Sequence, residues 1–304
     1  MFMEFVLNVC ADIAYDFYGT RLATCSSDQR IKIFDQDPTS GSWTLNDSFK
    51  SHDASVLKLS WANPGIHAFF LLIRAEFGNV LASCSLDRTI RVWEEQELET
   101  RGSGKRWVER AKLSDSRTSI LDASFSPPHL GLKLATVGAD GVVRVYEAID
   151  VLNLTQWSLL DEFSATNTDS GSSDTGESLY CLAWCPSRFT GLPMLAIGCG
   201  RENCVKIFTL DPNNKWKHTG ATLSGHSDIV LDVAWAPTLG RPCHRIATAC
   251  KDQHVRIFTS APRSRLEDQS QTSNQYVSQK SSSSATNDAL EFSMVADLSE
   301  HEAE

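Results

Sequence analysis

The chain has 304 residues, of which 41% are hydrophobic, and its formal net charge is −10 at pH 7. This length and apolar content suffice for a large hydrophobic core, whereas a strongly acidic chain is poorly suited to bind bare nucleic acid through counterion release. The longest apolar run, IHAFFLLI at 66–73, is much shorter than the roughly 20 residues that a membrane-spanning helix needs.

The first predicted element is a β-hairpin at 22–35, LATCSSDQRIKIFD, and similar phrases follow at 81–94, 134–147, 195–209 and 246–259. In each copy the second half alternates between β-branched residues and basic or aromatic ones, which is typical of a strand. The short polar segment between the two halves has the composition of a tight turn, because Asp binds local backbone N–H groups there. The copy at 195–209 is looser and carries one extra residue.

A further strand is predicted on each side of every hairpin. The upstream strands are 13–17, 56–61, 120–125, 179–184 and 230–235, and the downstream strands are 43–49, 107–113, 157–163, 216–223 and 292–298. Four strands that recur five times predict an all-β protein with the architecture of a β-propeller. We expect a single domain over 1–304, with units at about 12–51, 55–115, 119–165, 179–225 and 229–300.

Three segments interrupt the repeat. Residues 166–178 and 260–288 are rich in Ser, Thr, Asn and Gln, a composition that predicts disordered surface loops. Residues 65–75 lengthen the second unit between its first two strands. We interpret this segment either as a loop outside the blade or as an artefact of the gene model.

Four aspartates occupy the same turn in four units, namely Asp28, Asp87, Asp140 and Asp252. A catalytic site requires different groups that converge on one point, so four equivalent carboxylates indicate structural capping of turns. The sequence also lacks a Gly-rich phosphate loop, a GxSxG motif and an HExxH motif. We therefore expect no enzyme activity and no cofactor.

The nine cysteines include two pairs, Cys181 with Cys185 and Cys199 with Cys204, whose spacing superficially resembles that of metal ligands. Structural zinc prefers closely spaced cysteines on loops, so we expect no metal site. The odd number of cysteines and their positions in predicted strands favour reduced, buried thiols of an intracellular protein.

A basic residue precedes the aromatic residue of every hairpin: Lys32, Arg91, Arg144, Lys206 and Arg256. This regularity indicates a structural position rather than a surface for nucleic acid. We expect the aliphatic stem of each to pack between blades and its charged end to reach a polar group of a neighbouring blade.

Gly225-His226, followed by VLDVAW and by Asp252 and Phe258, resembles the WD-repeat family of WD40-type β-propellers. The second unit matches the same pattern at His52, Ser83, Asp87 and Trp93. The resemblance implies a buried, hydrogen-bonded tetrad of side chains in the second unit and a partial one in the fifth, around His226 and Asp252. In the third unit Asp115-Ser116 replaces the Gly-His pair.

Longer stretches at 21–29, 81–95 and above all 115–159 resemble the Seh-type WD-repeat nucleoporins, which are related to the Sec-thirteen-type scaffold proteins. This resemblance implies a non-catalytic scaffold in the Y-shaped outer-ring coat of the nuclear pore complex, at the nuclear envelope, that supports transport of protein and mRNA. It also implies a place in a nutrient-signalling complex at the vacuolar or lysosomal membrane.

Two other functions are alternatives. One is a Sec-thirteen-like subunit of a vesicle coat. The other is an enzyme or small-ligand binder that uses the central channel of the propeller, which would need converging polar side chains that the sequence does not nominate.

The Seh-type family has six blades, and only five are recognisable here. LSGH at 223–226 recurs as LSEH at 298–301, close to the last residue, which predicts an open ring without the last blade. The strands that include Ile31, Ile33, Phe34, Val255, Ile257 and Phe258 are expected to face a partner. The resemblance implies that a helical-solenoid nucleoporin donates a blade in trans, and that other outer-ring nucleoporins bind, without direct nucleic-acid binding or membrane insertion.

Overall fold

The computed structural model describes residues 9–63, 79–96, 107–151, 153–166, 178–188, 192–237, 243–260 and 291–299. The segment 65–75 lies outside the described residues. So do the predicted loops at 166–178 and 260–288, apart from residues 166, 178 and 260.

The described residues form twenty strands and one short 3₁₀ turn at Pro128–Leu130. The strands are β1 Cys10–Tyr15, β2 Arg21–Ser26, β3 Arg30–Gln36, β4 Trp43–Lys50, β5 Val56–Trp61, β6 Val80–Ser85, β7 Ile90–Glu95, β8 Trp107–Leu113, β9 Ile120–Phe125, β10 Lys133–Gly138, β11 Val142–Ala148, β12 Trp157–Ser164, β13 Tyr180–Trp184, β14 Met194–Cys199, β15 Cys204–Leu210, β16 Trp216–Leu223, β17 Val230–Trp235, β18 Arg245–Cys250, β19 Val255–Ser260 and β20 Phe292–Leu298.

These strands make five four-stranded sheets, and in each sheet four consecutive strands lie side by side in chain order. We number the sheets from first (β1–β4) to fifth (β17–β20). The prediction of an all-β protein with five propeller blades is thereby confirmed.

The registers show that the sheets are copies of one design. In four sheets the pairing between the third and fourth strands shifts directly before the aromatic residue of the third strand, that is, before Phe34, Trp93, Tyr146 and Phe258. The fourth sheet has the same irregularity between Lys206 and Phe208. Such a bulge bends the outer strand and increases its twist.

The chain divides into two compact units, 1–182 and 183–304, and the boundary falls inside β13. In the first unit, one apolar cluster joins the first and second sheets through Ile31, Ile33, Trp61 and Trp93. A second cluster joins the second and third sheets and includes Val92. In the second unit β14 lies against β17, and β16 lies against β20. A single domain over 1–304 stays a prediction.

Candidate functional site

The second sheet contains a continuous network of buried side chains on its face towards the first sheet. The Trp93 indole N–H donates to the Ser83 hydroxyl at 2.9 Å, and Ser83 Oγ lies 2.8 Å from His52 Nε2. The other ring nitrogen, His52 Nδ1, lies 2.9 Å from Asp87 Oδ2. Thr89, which the sequence analysis did not single out, donates its hydroxyl to Asp87 Oδ1 at 2.6 Å.

The network fixes the protonation of its members. The Asp87 carboxylate can only accept, so His52 Nδ1 carries the proton and Nε2 accepts the Ser83 hydroxyl. Burial lowers the pKa of His52 below 6.5 despite the attraction of Asp87. Burial raises the pKa of Asp87, but the hydrogen bond from Thr89 and the interaction with His52 outweigh it and leave that pKa at about 2. The resting state is therefore neutral His52 beside ionised Asp87.

The fifth sheet repeats only part of this network. His226 Nε2 lies 2.8 Å from the Thr248 hydroxyl, but Phe258 stands where the second sheet has Trp93 and supplies no N–H. Asp252 forms an ion pair with Arg256 at 2.9 Å and accepts from the Ser227 N–H at 3.1 Å. The buried His226 Nδ1 has no hydrogen-bond partner among the described residues.

The third sheet replaces the tryptophan and histidine of this network with other residues. Its aromatic residue is Tyr146, which is 2% exposed, and its hydroxyl is hydrogen-bonded to Asp115. Burial first, and then the nearby Asp115, raise the pKa of Tyr146. Asp115, one of the two residues that replace the Gly-His pair, thus supplies the polar partner of the aromatic side chain.

The four equivalent aspartates all cap turns. Each accepts the backbone N–H two residues further on: Asp28 from Arg30, Asp87 from Thr89, Asp140 from Val142 and Asp252 from His254, at 2.9–3.1 Å. The residue after each aspartate has a positive φ of 67–73°. In the third sheet that residue is Gly141, where a Cβ would lie 2.8 Å from the Tyr180 hydroxyl oxygen, so that the lack of space favours glycine there.

The basic residues before the aromatic positions pair within their own sheets. Arg91 Nη1 lies 3.1 Å from Glu109, and Arg144 Nε lies 2.9 Å from Glu162. Both glutamates belong to the fourth strand of the same sheet, and Glu162 is the direct register partner of Arg144. The expected reach to a neighbouring blade is wrong for these two residues, because the fourth strand offers a closer carboxylate.

The predicted partner-facing residues divide between two sheet faces. Ile31 and Ile33 are 0% exposed because they pack against the second sheet, and Phe258 is 3% exposed and lies against the His226 ring, with centroids 5.8 Å apart. Their assignment to an open face is wrong. Successive residues of a strand point to opposite faces, so only Phe34 in the first sheet, and Val255 and Ile257 in the fifth, lie on the less covered faces, where they are half-buried.

Side-chain to backbone bonds join the first sheet to the second and the second to the third, and a similar bond joins β9 to Leu182 of β13; none of them was expected from the sequence. Asp12 Oδ2 accepts the Leu59 N–H at 2.9 Å, Ser60 Oγ accepts the Phe125 N–H at 2.9 Å, and Asp122 Oδ2 accepts the Leu182 N–H at 2.9 Å. The recurrence of Asp at one position of the inner strands β1 and β9 was a signal that could have revealed them.

Arg21 also joins the first and second sheets. Its guanidinium binds Glu95 through two hydrogen bonds of 2.7 and 2.9 Å and Asp35 through one of 3.0 Å. It lies over the Trp61 and Trp107 rings at 5.8 and 5.6 Å from their centroids. Such a planar, bidentate pairing suits Arg and not Lys.

None of the nine cysteines forms a disulfide in this structure. Among the described residues, no three side chains of His, Cys, Asp or Glu come together in a way that could hold a metal ion. Within the same ranges, no helix has the length and apolar character to cross a membrane.

The five meandering sheets and the Trp-Ser-His-Asp network define a β-propeller protein of the WD-repeat class. The "WD domain, G-beta repeat" family matches residues 7–35, 43–94 and 217–259.

Three relatives are similar over most of the chain. The fission yeast (Schizosaccharomyces pombe) protein "Nucleoporin seh1" is 42% identical over 81% of this chain and 67% of its own length. "Nucleoporin SEH1" of Saccharomyces cerevisiae is 39% identical over 81% of this chain and 66% of its own length. The Homo sapiens protein of the same name is 44% identical over 83% and 66%.

The chain belongs to the Seh1 nucleoporin family, as these identities show, and it spans about two thirds of the length of these relatives. It is accordingly a nucleoporin, and its location is the nuclear pore complex in the nuclear envelope. The predicted resemblance to Seh-type nucleoporins is confirmed.

Proposed function

We propose that this protein is a non-catalytic scaffold subunit of the Y-shaped outer-ring coat of the nuclear pore complex, where it supports transport of protein and mRNA. Its partners are other outer-ring nucleoporins. The chief partner is a helical-solenoid nucleoporin that donates one blade in trans to the first sheet. The same scaffold serves, in this proposal, in a nutrient-signalling complex at the vacuolar or lysosomal membrane.

The observation that carries the proposal is an apolar surface on the first sheet, on the face opposite the second sheet. Ile13, Tyr15 and Leu45 are 57%, 60% and 56% exposed. The registers place Tyr15, Leu22, Phe34 and Leu45 in one row across all four strands of this sheet. Exposed apolar surface that is continuous in this way marks an interaction site.

The covered face of the same sheet indicates what kind of partner fits. There, Ile31 and Ile33 pack against aromatic and aliphatic side chains of a neighbouring four-stranded sheet. The exposed face offers a similar row of apolar side chains, so a β-sheet from the partner is the complementary surface. Val255 and Ile257, on the less covered face of the fifth sheet, are assigned to a partner as well.

The absence of catalysis is also part of the proposal. The four turn aspartates are engaged by backbone N–H groups, and the Trp93 network satisfies its own polar groups. The net charge of −10 opposes direct binding of nucleic acid. We accordingly assign no cofactor, no metal and no membrane insertion to the function.

Affinity purification of the tagged chain from cells tests the assignment. We expect outer-ring nucleoporins, including one with a helical solenoid, among the recovered proteins. Recovery of vesicle-coat subunits without nucleoporins would instead establish the alternative function as a coat subunit.

A matched pair of variants tests the proposed surface. Leu45 and Leu159 occupy equivalent register positions, opposite Phe34 and Tyr146, and are 56% and 41% exposed. We expect Leu45→Glu to abolish recovery of the solenoid partner and Leu159→Glu to retain it. Equal recovery by the two variants would rule out the first sheet as the binding surface. Co-expression with the partner should also improve the solubility of the native chain.

A further inference from the structure

Two thiols face each other at the tip of the fourth-sheet hairpin. Cys199 is the last residue of β14 and Cys204 is the first residue of β15, and the two are direct partners in the register. Both side chains are buried, with exposed fractions of 0% and 7%. The spacing of this pair superficially resembles that of metal ligands, and the proposed scaffold function makes no use of it.

The extra residue of this hairpin creates the pairing. In the first and second sheets the last register pairs before the turn are Cys25 with Ile31 and Cys84 with Ile90. The equivalent pair in the fourth sheet is Gly198 with Val205, but here the ladder continues by one more pair, Cys199 with Cys204. The insertion thus places two thiols opposite each other.

This position suits a covalent bond between the two sulfur atoms. Directly opposed residues of antiparallel strands have Cα atoms about 4.5–5.5 Å apart, and disulfides span Cα separations of about 4.4–6.8 Å. The two thiols are already hydrogen-bonded to each other. The register therefore suits a disulfide without a change of strand pairing.

The two thiols are chemically unequal. The hydrogen bond from Cys199 is the main cause that lowers the pKa of Cys204, and the nearby Lys206 ammonium acts in the same direction. The neighbouring Glu202 carboxylate opposes this effect, but Lys206 Nζ pairs with it at 2.8 Å. By contrast, burial raises the pKa of Cys25 to about 12 and also raises that of Cys84. Cys204 is therefore the better nucleophile.

We propose that Cys199 and Cys204 form a redox-active dithiol, a modification site that a hydroperoxide oxidises to a cross-strand disulfide within the fourth sheet. The exposed turn residues Arg201 and Glu202 border the pair, so a small oxidant approaches from solvent.

The reaction has two steps. The Cys204 thiolate attacks the hydroperoxide, an S–O bond forms as the O–O bond breaks, and the departing oxygen takes a proton and leaves as an alcohol or water. Cys199 sulfur then attacks Cys204 sulfur and the S–S bond forms. The hydroxide that leaves Cys204 takes the proton of Cys199 and becomes water. Two thiols lose two electrons and the peroxide gains them.

Peroxide titration of the folded 304-residue chain tests the proposal. After brief exposure to hydrogen peroxide, the remaining thiols are alkylated and the digest is analysed by mass spectrometry without reduction. We expect peptides linked through Cys199 and Cys204, formed roughly ten times faster than Cys25 or Cys84 is modified. The same native sample must retain the circular dichroism spectrum of a β-protein.

Three variants assign the roles. Cys199→Ser should leave a Cys204 sulfenic acid that dimedone traps, and Cys204→Ser should give neither the disulfide nor an oxidised Cys199. Cys250→Ser is the matched control, because Cys250 also ends the second strand of its sheet and is buried, and it should leave the disulfide unchanged. Should a variant fail to fold, the native chain still decides: full alkylation of both Cys199 and Cys204 after peroxide exposure would overturn the proposal.

Discussion

In the second sheet, hydrogen bonds run without a break from Trp93 through Ser83 and His52 to Asp87, whereas in the fifth sheet the corresponding series stops at His226. The loss of the indole N–H explains one missing bond. It does not explain why His226 lacks the carboxylate, because Asp252 is present at the expected position.

The residue after each histidine differs between the two sheets, and this difference bears on why His52 binds a carboxylate and His226 does not. In the second sheet this residue is Asp53, which binds Arg91 Nη2 at 3.0 Å and leaves it 3.9 Å from Asp87 Oδ2, the atom that faces His52. In the fifth sheet it is Ser227, which donates to Asp252 at 3.0 Å and offers Arg256 no carboxylate. Arg256 binds Asp252 instead. We expect this competition for the arginine to decide whether the network closes.

Removal of the Trp93 side chain should have the largest effect on stability. Trp93 is 5% exposed and packs against Phe49 with ring centroids 4.9 Å apart. We expect Trp93→Ala to lower the free energy of unfolding by about 3–5 kcal/mol, because it opens a cavity in the core. Denaturant unfolding measures the loss, with the exposed Trp43→Ala as control. A shift no larger than that of the control would contradict the role of Trp93.

The two histidines should differ when each is replaced by leucine. His52→Leu takes the acceptor from the Ser83 hydroxyl and one of its donors from Asp87, and each lost buried hydrogen bond costs about 0.5–1.5 kcal/mol. His226→Leu deprives only Thr248 and also removes an unpaired nitrogen. We expect the first variant to lose at least twice as much stability as the second, measured by thermal unfolding. Equal losses would show that the networks do not differ energetically.

An exchange of the residues after the histidines should make the hydrogen-bond network of the fifth sheet resemble that of the second. We expect Ser227→Asp to attract Arg256 and return Asp252 to His226, with a gain of at most about 1 kcal/mol, since exposed ion pairs contribute little. Asp53→Ser should have the opposite effect on the second sheet. NMR titration of the His226 ring provides the measurement. An unchanged ring signal in Ser227→Asp would disprove the competition for arginine.

A smaller effect is expected from mild acidification. His52 has a folded-state pKa below its ordinary value, so the folded chain binds fewer protons than the unfolded chain at pH values below about 6.5. Its contribution to stability is complete above that pH and declines as the pH falls towards the folded-state pKa. Asp87 adds a further loss between its ordinary value of 3.8 and about 2. Melting temperatures of the native chain should fall below pH 6.5, and less so in His52→Leu.

Much of this architecture could be predicted from sequence, because a period of two identifies strands and the repeat identifies sheets. Which face of a sheet is covered could not be predicted. The alternation places Ile33 and Phe34 on opposite faces but does not show which face packs against another sheet. The Arg21 to Glu95 pair was also beyond reach, because it joins residues 74 positions apart in different sheets. The Asp115 to Tyr146 pair replaces a histidine and a tryptophan with other chemistry, which motif matching does not detect.

The bonds from Asp12, Ser60 and Asp122 to the next sheet have a consequence for how the chain tolerates change. In all three the donor is a main-chain N–H, at Leu59, Phe125 and Leu182. The acceptor residue is therefore specific, but the identity of the donor residue does not affect the bond. The bond itself therefore persists when the donor side chain changes, and only proline, which has no N–H, would remove it.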